Sequence, residues 1–398
     1  MTRVEKHNIK KNHNLYKYCD EYCFKAKNLY NYSNYIIRQE FINNGKWIRY
    51  SEIYKLVKYH ETYKSLMAQV AQQTLKLLDK NWKSFFNSIK EYNKNKEKYL
   101  GRPKLPKYAD KNGRKISILT NQNCKIKNGK IVFPKSFNKI ELNTNADNLQ
   151  QVRIIPNGNC YTIEIVYKKE IQDCNLKKEN FVSIDLGLNN IVTMVNNIGL
   201  EPIVINGKII KATNQYYNKK LADIKSDIKK NNKLDWSNRL ERLTKKRNNK
   251  IDDSMHKISK FIISYCYQNN IGKIIIGYNK EWKQSINIGK VNNQKFVNIP
   301  FLKLLSMIQY KSEEIGIEVI TTEESYTSGT SFLDGEEPIK ANYKKSRRIK
   351  RGLFKSNTGK LINSDVNGAY QISKKVIPNA YADGIEALGL VPVKANIA

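Results

Sequence analysis

The chain has 398 residues, enough for two or three domains, and 40% of them are hydrophobic, which suffices for packed cores. No run of about 18 apolar residues occurs, so no membrane span is expected. The 71 Lys and Arg against 36 Asp and Glu leave a net charge of +35, a surplus that implies a long polyanion held through phosphate contacts. Lysine-rich codon usage explains part of that excess but not the scarcity of acids, and no short basic amphipathic anchor argues for an anionic membrane instead. Met1 to Lys10 is polar and lacks the apolar core of a secretory signal. The expectation is therefore a cytoplasmic, bacterial nucleoid-associated protein. Its 6 cysteines are scattered without a Cys-x-x-Cys pair, as reduced structural thiols would be.

Along the chain, Leu15, Cys19, Tyr22, Ala26, Leu29, Ile36 and Phe41 recur at helical spacing until Asn43-Asn44-Gly45 stops the run. A second helix is expected to bury Met67, Val70, Leu77, Phe85 and Ile89, with Lys64, Lys76, Lys83 and Lys90 between them. Gly101 to Lys107 holds Pro103 and Pro106 and reads as an extended basic linker. Short strands follow, with turn signals at Asn128-Gly129 and Asn157-Gly158. The clearest is Cys160 to Lys168, where Tyr161, Ile163, Ile165 and Tyr167 alternate with other residues. Together they suggest a small β-barrel or sheet.

The second half opens with a buried-strand pattern, Phe181 to Asp185, followed by strands at Ile191 to Val195 and Ile203 to Ile205. A basic helical region runs from about Tyr216 to Asn269. A strand at Lys273 to Gly277, a helix at Phe301 to Ile315, a strand at Ile317 to Thr321 and a helix beginning near Asp365 complete the pattern. Three consecutive strands and then alternating helices and strands is the order of an RNase H-like α/β domain.

Two acids stand out. Asp185 ends an apolar strand, where a carboxylate is expensive without compensation, and Gly187 and Asn190 complete an Asp-x-Gly-x-x-Asn motif. Taken alone, the motif equally describes an Asp that closes a turn. Asp365 sits in Asn363-Ser364-Asp365-Val366-Asn367-Gly368-Ala369, where an acid at a helix start can serve merely as an N-cap. Two such acids at the two ends of one α/β domain suit Mg²⁺, which takes hard oxygen ligands and a few carboxylates. His256, on a helix, reads as structural rather than as a general base. Trp82 and Trp236 read as core residues before base-stacking ones.

Val182 to Asn190 resembles the first RuvC motif of the TnpB (OrfB) family, transposon-encoded RNA-guided nucleases related to type V CRISPR effectors, and Ile362 to Tyr370 resembles the third. The blocks Met255 to Ser259, Asn279 to Gln284, Asn293 to Phe296 and Glu324 to Ser328 are similar to family blocks in the family's order. The resemblance implies an α+β multidomain protein, with an N-terminal helical lobe (13–100) and a small β-barrel, wedge-like module (1–12 and 101–175). A RuvC nuclease domain (176–398) would follow, with a basic insert at 325–362. It also implies a guide RNA from the transposon end, double-stranded target DNA with a short adjacent motif, and Mg²⁺, with Mn²⁺ as a substitute, in a single cutting site.

Two departures matter. Gly277 occupies the place of the family's second-motif glutamate. A third carboxylate is still needed beside Asp185 and Asp365, and Glu324, at a strand end and in a family block, is expected to supply it, with Glu323 as the alternative. Glu281 reads as a surface acid. No Cys or His occurs between Ser325 and Asn363, so no zinc is expected. Candidate nucleic-acid contacts are Arg102, Lys104, Lys107, Lys245, Lys246, Arg247, Lys344, Lys345, Arg347, Arg348, Lys350 and Arg351. Two other functions remain open: a catalytically inactive RNA-guided DNA-binding protein of the same family, which Gly277 favours, and a DDE-type transposase.

Overall fold

The computed structural model describes residues 1–232, 236–279, 299–381, 387–395 and 397. Glu281, Trp282 and the block Asn293 to Phe296 lie outside the described residues. The chain forms two compact units, Met1–Glu170 and Ile171–Ala398. No helix among the described residues is long and apolar enough to cross a membrane. None of the six cysteines is in a disulfide, and all but Cys174 are buried.

In the first unit, β1 (Thr2–Ile9) leads to helices α1 (Tyr16–Asn44), α2 (Tyr50–Val57), α3 (Glu61–Lys64) and α4 (Ala68–Lys94). Six strands follow: β2 (Ser117–Thr120), β3 (Lys125–Lys127), β4 (Lys130–Val132), β5 (Glu141–Asn143), β6 (Asn148–Asn157) and β7 (Cys160–Lys168). They form an antiparallel sheet ordered β1-β7-β6-β2 and a smaller one ordered β3-β4-β5. The first strand pairs with β7 from Thr2 opposite Lys168 to Ile9 opposite Tyr161.

Helix α4 buries Val70, Ala71, Thr74, Leu75, Leu78 and Trp82, not the expected stripe through Leu77, Phe85 and Ile89, which are only half-buried. Trp82 sets the face. Its indole N–H donates to Asn34 Oδ1 at 3.0 Å, so the whole ring can be buried without an orphaned donor. Phe41, Phe85 and Phe86 pack around it. The basic linker has no regular structure, yet α1 holds its backbone. Asn34 and Arg38 both donate to Pro106 O at 3.0 Å. Asn31 exchanges two 2.9 Å hydrogen bonds with Ala109, and Lys27 donates to Lys111 O at 2.6 Å. These four residues recur every three or four positions, so they share one side of the helix. Arg102, Lys104 and Lys107 remain exposed.

The second unit is built on strands β8 (Phe181–Asp185), β9 (Asn190–Asn196), β10 (Ile203–Asn206), β11 (Lys273–Gly277), β12 (Glu318–Thr322) and β15 (Val393–Ala395), with β13 (Leu353–Lys355) and β14 (Leu361–Asn363) as a separate hairpin. The sheet order is β12-β11-β8-β9-β10-β15. The first three strands run antiparallel, β11 is parallel to β8, and β12 is parallel to β11. Edge strand β15, parallel to β10, has no counterpart in the sequence expectations. The helices are α5 (Lys208–Asn232), α6 (Asn238–Gln268), α7 (Phe301–Glu314) and α8 (Ser364–Val376). The expected basic helical region is thus two helices beginning eight residues earlier, and Ser237 caps the second of them. Both faces of the sheet are covered. Val182, Ile184, Ile274 and Ile276 join the core with α6 and α7, whereas Phe181 and Ile275 pack with Ile372 of α8. That double cover explains why these strands read as continuous apolar runs.

The 325–362 insert is organised by an ion pair. Arg347 is buried and forks onto Glu336, with Nη2 to Oε1 at 2.6 Å and Nη1 to Oε2 closer still. Glu336 also accepts from Ser331 N at 2.8 Å, and Arg347 donates to Asn357 Oδ1 at 2.8 Å. On α8, Asn367 and Gln371 bind the backbone at Thr330, Phe332 and Glu336. Arg347 therefore does not present its charge at the surface, contrary to the expectation for a nucleic-acid contact. Breaking a buried pair leaves one charge uncompensated. Glu336→Ala should lower unfolding stability by about 3 kcal/mol, read by urea denaturation, and a wild-type midpoint would contradict this role.

Candidate active site

Alternation along β8 places Phe181, Ser183 and Asp185 on the face toward α8. Ser183 donates to Ala369 O at 2.7 Å, fixing the helix against the strand. A Cβ on Gly368 would stand 3.2 Å from Asp185 Oδ2; α8 comes this near the acid because residue 368 has no side chain. Burial, and then the neighbouring charge of Asp365, push the Asp185 carboxyl well above its usual range. Arg348 and the Leu186 backbone N–H oppose that shift without cancelling it.

Asp365 lies in the first turn of α8 but does not cap it. Asn363 is the N-cap, accepting from Asp365 N at 2.9 Å and Val366 N at 3.3 Å, which leaves the Asp365 carboxylate available. Asn190 donates to its Oδ2 at 2.7 Å. The last residue of the Asp-x-Gly-x-x-Asn motif thus orients the second acid. Arg348 Nη2 stands 3.7 Å from Asp365 Oδ1 and donates to Ser364 Oγ at 3.3 Å. Sequence reasoning included Arg348 only as one charge in a basic run.

Glu324 follows β12 by two residues. The β11–β12 register sets Gly277 opposite Thr322, and Tyr278 N donates to Thr322 O at 2.8 Å beyond it. Glu324 N donates to Asn279 Oδ1 at 3.1 Å, and Thr327 Oγ1 donates to Glu324 O at 2.8 Å, so its backbone is held from both sides. Its Oε2 is buried with no hydrogen-bond partner. Burial and then the Asp185 charge push its carboxyl upward, against the pull of Lys375. Gly277 explains this placement. A Cβ there would lie 2.5 Å from Ile372 Cδ1 and 3.3 Å from Glu324 Cβ. A side chain at 277 would have to displace the end of Ile372, and Glu324 occupies the adjoining space. Glu323 is exposed and accepts from Ser325 Oγ.

Asp185 is thus electrostatically coupled to both Asp365 and Glu324. Among the described residues no three acidic, histidine or cysteine side chains close around a single ion position. The donor chemistry nonetheless fits a hard divalent cation: carboxylate oxygens only, one of them buried and unpartnered among the described residues. His256 is exposed on α6. Of the basic candidates, Lys246, Lys344, Lys345, Lys350 and Arg351 are exposed. Lys245 is half-buried, as is Arg247, whose Nε donates to Asn214 Oδ1 at 2.8 Å.

Residues 164–283 match the OrfB_IS605 family, described as a probable transposase, and residues 301–372 match the family described as Cas12f1-like, TNB domain. The TnpB-like protein ORF457 of Acidianus two-tailed virus is 24% identical over 397 residues, covering 88% of this chain and 81% of that protein. The CRISPR-associated endodeoxyribonuclease Cas12f2 of a Micrarchaeota archaeon is 26% identical over 285 residues, covering 67% of this chain and 49% of that protein. Among solved structures, Cas12f1 in its complex with sgRNA and target DNA has a similar fold, at 14% identity and a TM-score of 0.54 over 90% of this chain and 82% of that one. The segments matched carry the strand bearing Asp185, the loop bearing Glu324 and the helix bearing Asp365; in them the chain is similar to the OrfB_IS605 and Cas12f1-like families, and over most of its length to a TnpB-like protein.

Proposed function

We propose that this chain is an RNA-guided DNA endonuclease that hydrolyses phosphodiesters with Asp185, Glu324 and Asp365. One observation carries the reading: three carboxylates gather at one end of a sheet, and one of them has a buried oxygen that none of the described residues satisfies. The strand order supports an RNase H-like RuvC domain, because counting from β8 it runs 3-2-1-4-5 with only the second strand reversed against its neighbours. Residues 13–100 would be the helical lobe, and 1–12 with 101–175 the wedge-like module.

Asp185, Glu324 and Asp365 would hold Mg²⁺, or Mn²⁺ in its place; when bound, the cation would activate a water and stabilise the leaving oxygen of the phosphodiester. The chain's own residues prepare the site. Asn190 fixes the Asp365 carboxylate, Asn363 frees it from capping, and Arg348 holds positive charge beside it. A guide RNA would supply sequence choice by base pairing, while the protein's positive surface binds phosphates. Target DNA with a short adjacent motif and a guide from the transposon end complete the reading. The non-cleaving alternative rests on Gly277, and the neighbouring Glu324 weakens it. The transposase alternative has the family description in its favour; strand transfer of DNA ends, in place of hydrolysed ends, would decide for it.

The test is DNA cleavage by protein purified with its co-purifying RNA. Asp185→Ala, Glu324→Ala and Asp365→Ala should each reduce cutting by about 10²-fold or more while RNA binding persists, and EDTA should abolish it. Undiminished cutting by Asp185→Ala would falsify the assignment.

The glutamate's position has its own test. Gly277→Glu should not rescue Glu324→Ala, since Ile372 blocks residue 277. Adding Ile372→Ala should restore measurable cleavage. Rescue without that third change would show that the space at residue 277 is misjudged.

Acidity gives a cation-independent check. Both Asp185 and Glu324 are raised, so from about pH 4 up to those raised values the folded chain binds more protons than the unfolded one. Stability without a cation therefore falls as pH rises through that window. In EDTA, Glu324→Gln should melt higher than the parent at about pH 8 and alike near about pH 4, with Mg²⁺ narrowing the difference by stabilising the parent. A parent that melts higher at alkaline pH in EDTA contradicts the burial of an ionised Glu324.

A further inference from the structure

Helices α5 and α6 enclose a cleft of about 230 Å³ that the cutting chemistry does not use. From α5 it is lined by Ala212, Thr213, Tyr216 and Tyr217, and from α6 by Leu243, Lys246, Arg247 and Lys250. The floor is preformed. Tyr217 OH shares a 3.1 Å hydrogen bond with Thr244 Oγ1, and the Arg247 guanidinium stands 5.6 Å from the centre of the Tyr217 ring. Below it Ile224, Ile228 and Leu240 form a small core that locks the two helices together. Tyr216, 60% exposed, stands at the mouth. Lys246 and Lys250 are also exposed there, one helical turn apart.

We infer that this cleft takes one unpaired nucleobase of a bound single strand, with the strand's phosphates on Lys246 and Lys250. A simple anion would have no use for the aromatic and aliphatic walls, and a neutral apolar ligand would have none for the cations. A nucleotide uses both, stacking on a ring and presenting phosphate to the rim. A paired base has both faces covered by its neighbours, so only an unstacked base enters such a cleft. The inference rests on the nucleic-acid-binding part of the proposed function and adds a defined subsite to it.

The experiment uses the full chain with single-stranded RNA and single-stranded DNA in separate arms, each strand carrying one photoactivatable pyrimidine. Crosslinked peptides are mapped by mass spectrometry, and affinity is measured by fluorescence anisotropy. Crosslinks should fall on Tyr216 or Tyr217 in at least one arm, and that arm identifies the strand. Tyr216→Ala should weaken binding in that arm by about tenfold, while Tyr216→Phe, which keeps the ring, should bind as the parent does. Lys246→Gln and Lys250→Gln should each lower the slope of log affinity against log salt by about one. Parent-like binding of both strands by Tyr216→Ala, or crosslinks confined to other segments, overturns the inference. A chain that crosslinks at Tyr216 yet never cuts DNA keeps the cleft and loses the nuclease reading; the opposite pattern does the reverse.

Discussion

The second unit is arranged around negative charge held where water is scarce. Asp185 ends a strand covered on both faces, and a Cβ at residue 368 of α8 would stand 3.2 Å from its Oδ2. Glu324 brings a second carboxylate whose buried oxygen has no partner, and Asp365 brings a third. Burial and the charge of Asp365 raise the proton affinity of Asp185, and burial and the charge of Asp185 raise that of Glu324, so ionising either one resists folding unless something positive stands nearby. In the chain itself that role falls to Arg348 beside Asp365 and Lys375 near Glu324. Neither cation cancels the burial effect.

Arg348 owes its position to its neighbour. Arg347 is buried in a forked pair with Glu336, which also accepts from Ser331. Asn367 and Gln371 of α8 hold the same loop by its backbone. The segment that carries no metal-ligating Cys or His is therefore organised by a charge-assisted network, and the guanidinium's planar fork suits a carboxylate in a way lysine would not. The network joins the insert to the helix that carries Asp365 in its first turn, so a disturbance of Glu336 reaches the acids through covalent neighbours.

The large positive charge and the acidic site are complementary. A net charge of +35 attracts polyanions, whereas the clustered acids repel phosphate. Variants of the acids and of the exposed lysines therefore alter opposite charges.

Much of this was legible in the sequence. Apolar runs such as Phe181 to Asp185 and Lys273 to Gly277 marked the buried strands, because a strand covered on both faces has no polar side to show. Asp185 and Asp365 stood out as acids at the ends of apolar elements. Glu324 was reached by asking which strand end offered a carboxylate once Gly277 did not. Other features depend on distant partners and have no local signature. The buried face of α4 turns on the hydrogen bond between Trp82 and Asn34. The docking of the linker turns on a row of α1 side chains. The burial of Arg347 within a basic run turns on Glu336 eleven residues earlier, and edge strand β15 forms only because β10 offers it an open edge. Periodicity and composition determined which segments are helices and strands and where acids interrupt them, since both follow from local geometry and the energetics of burial. Which acids meet, and which cations face inward, was decided only by tertiary packing, because a carboxylate's surroundings are made by residues far away in the chain.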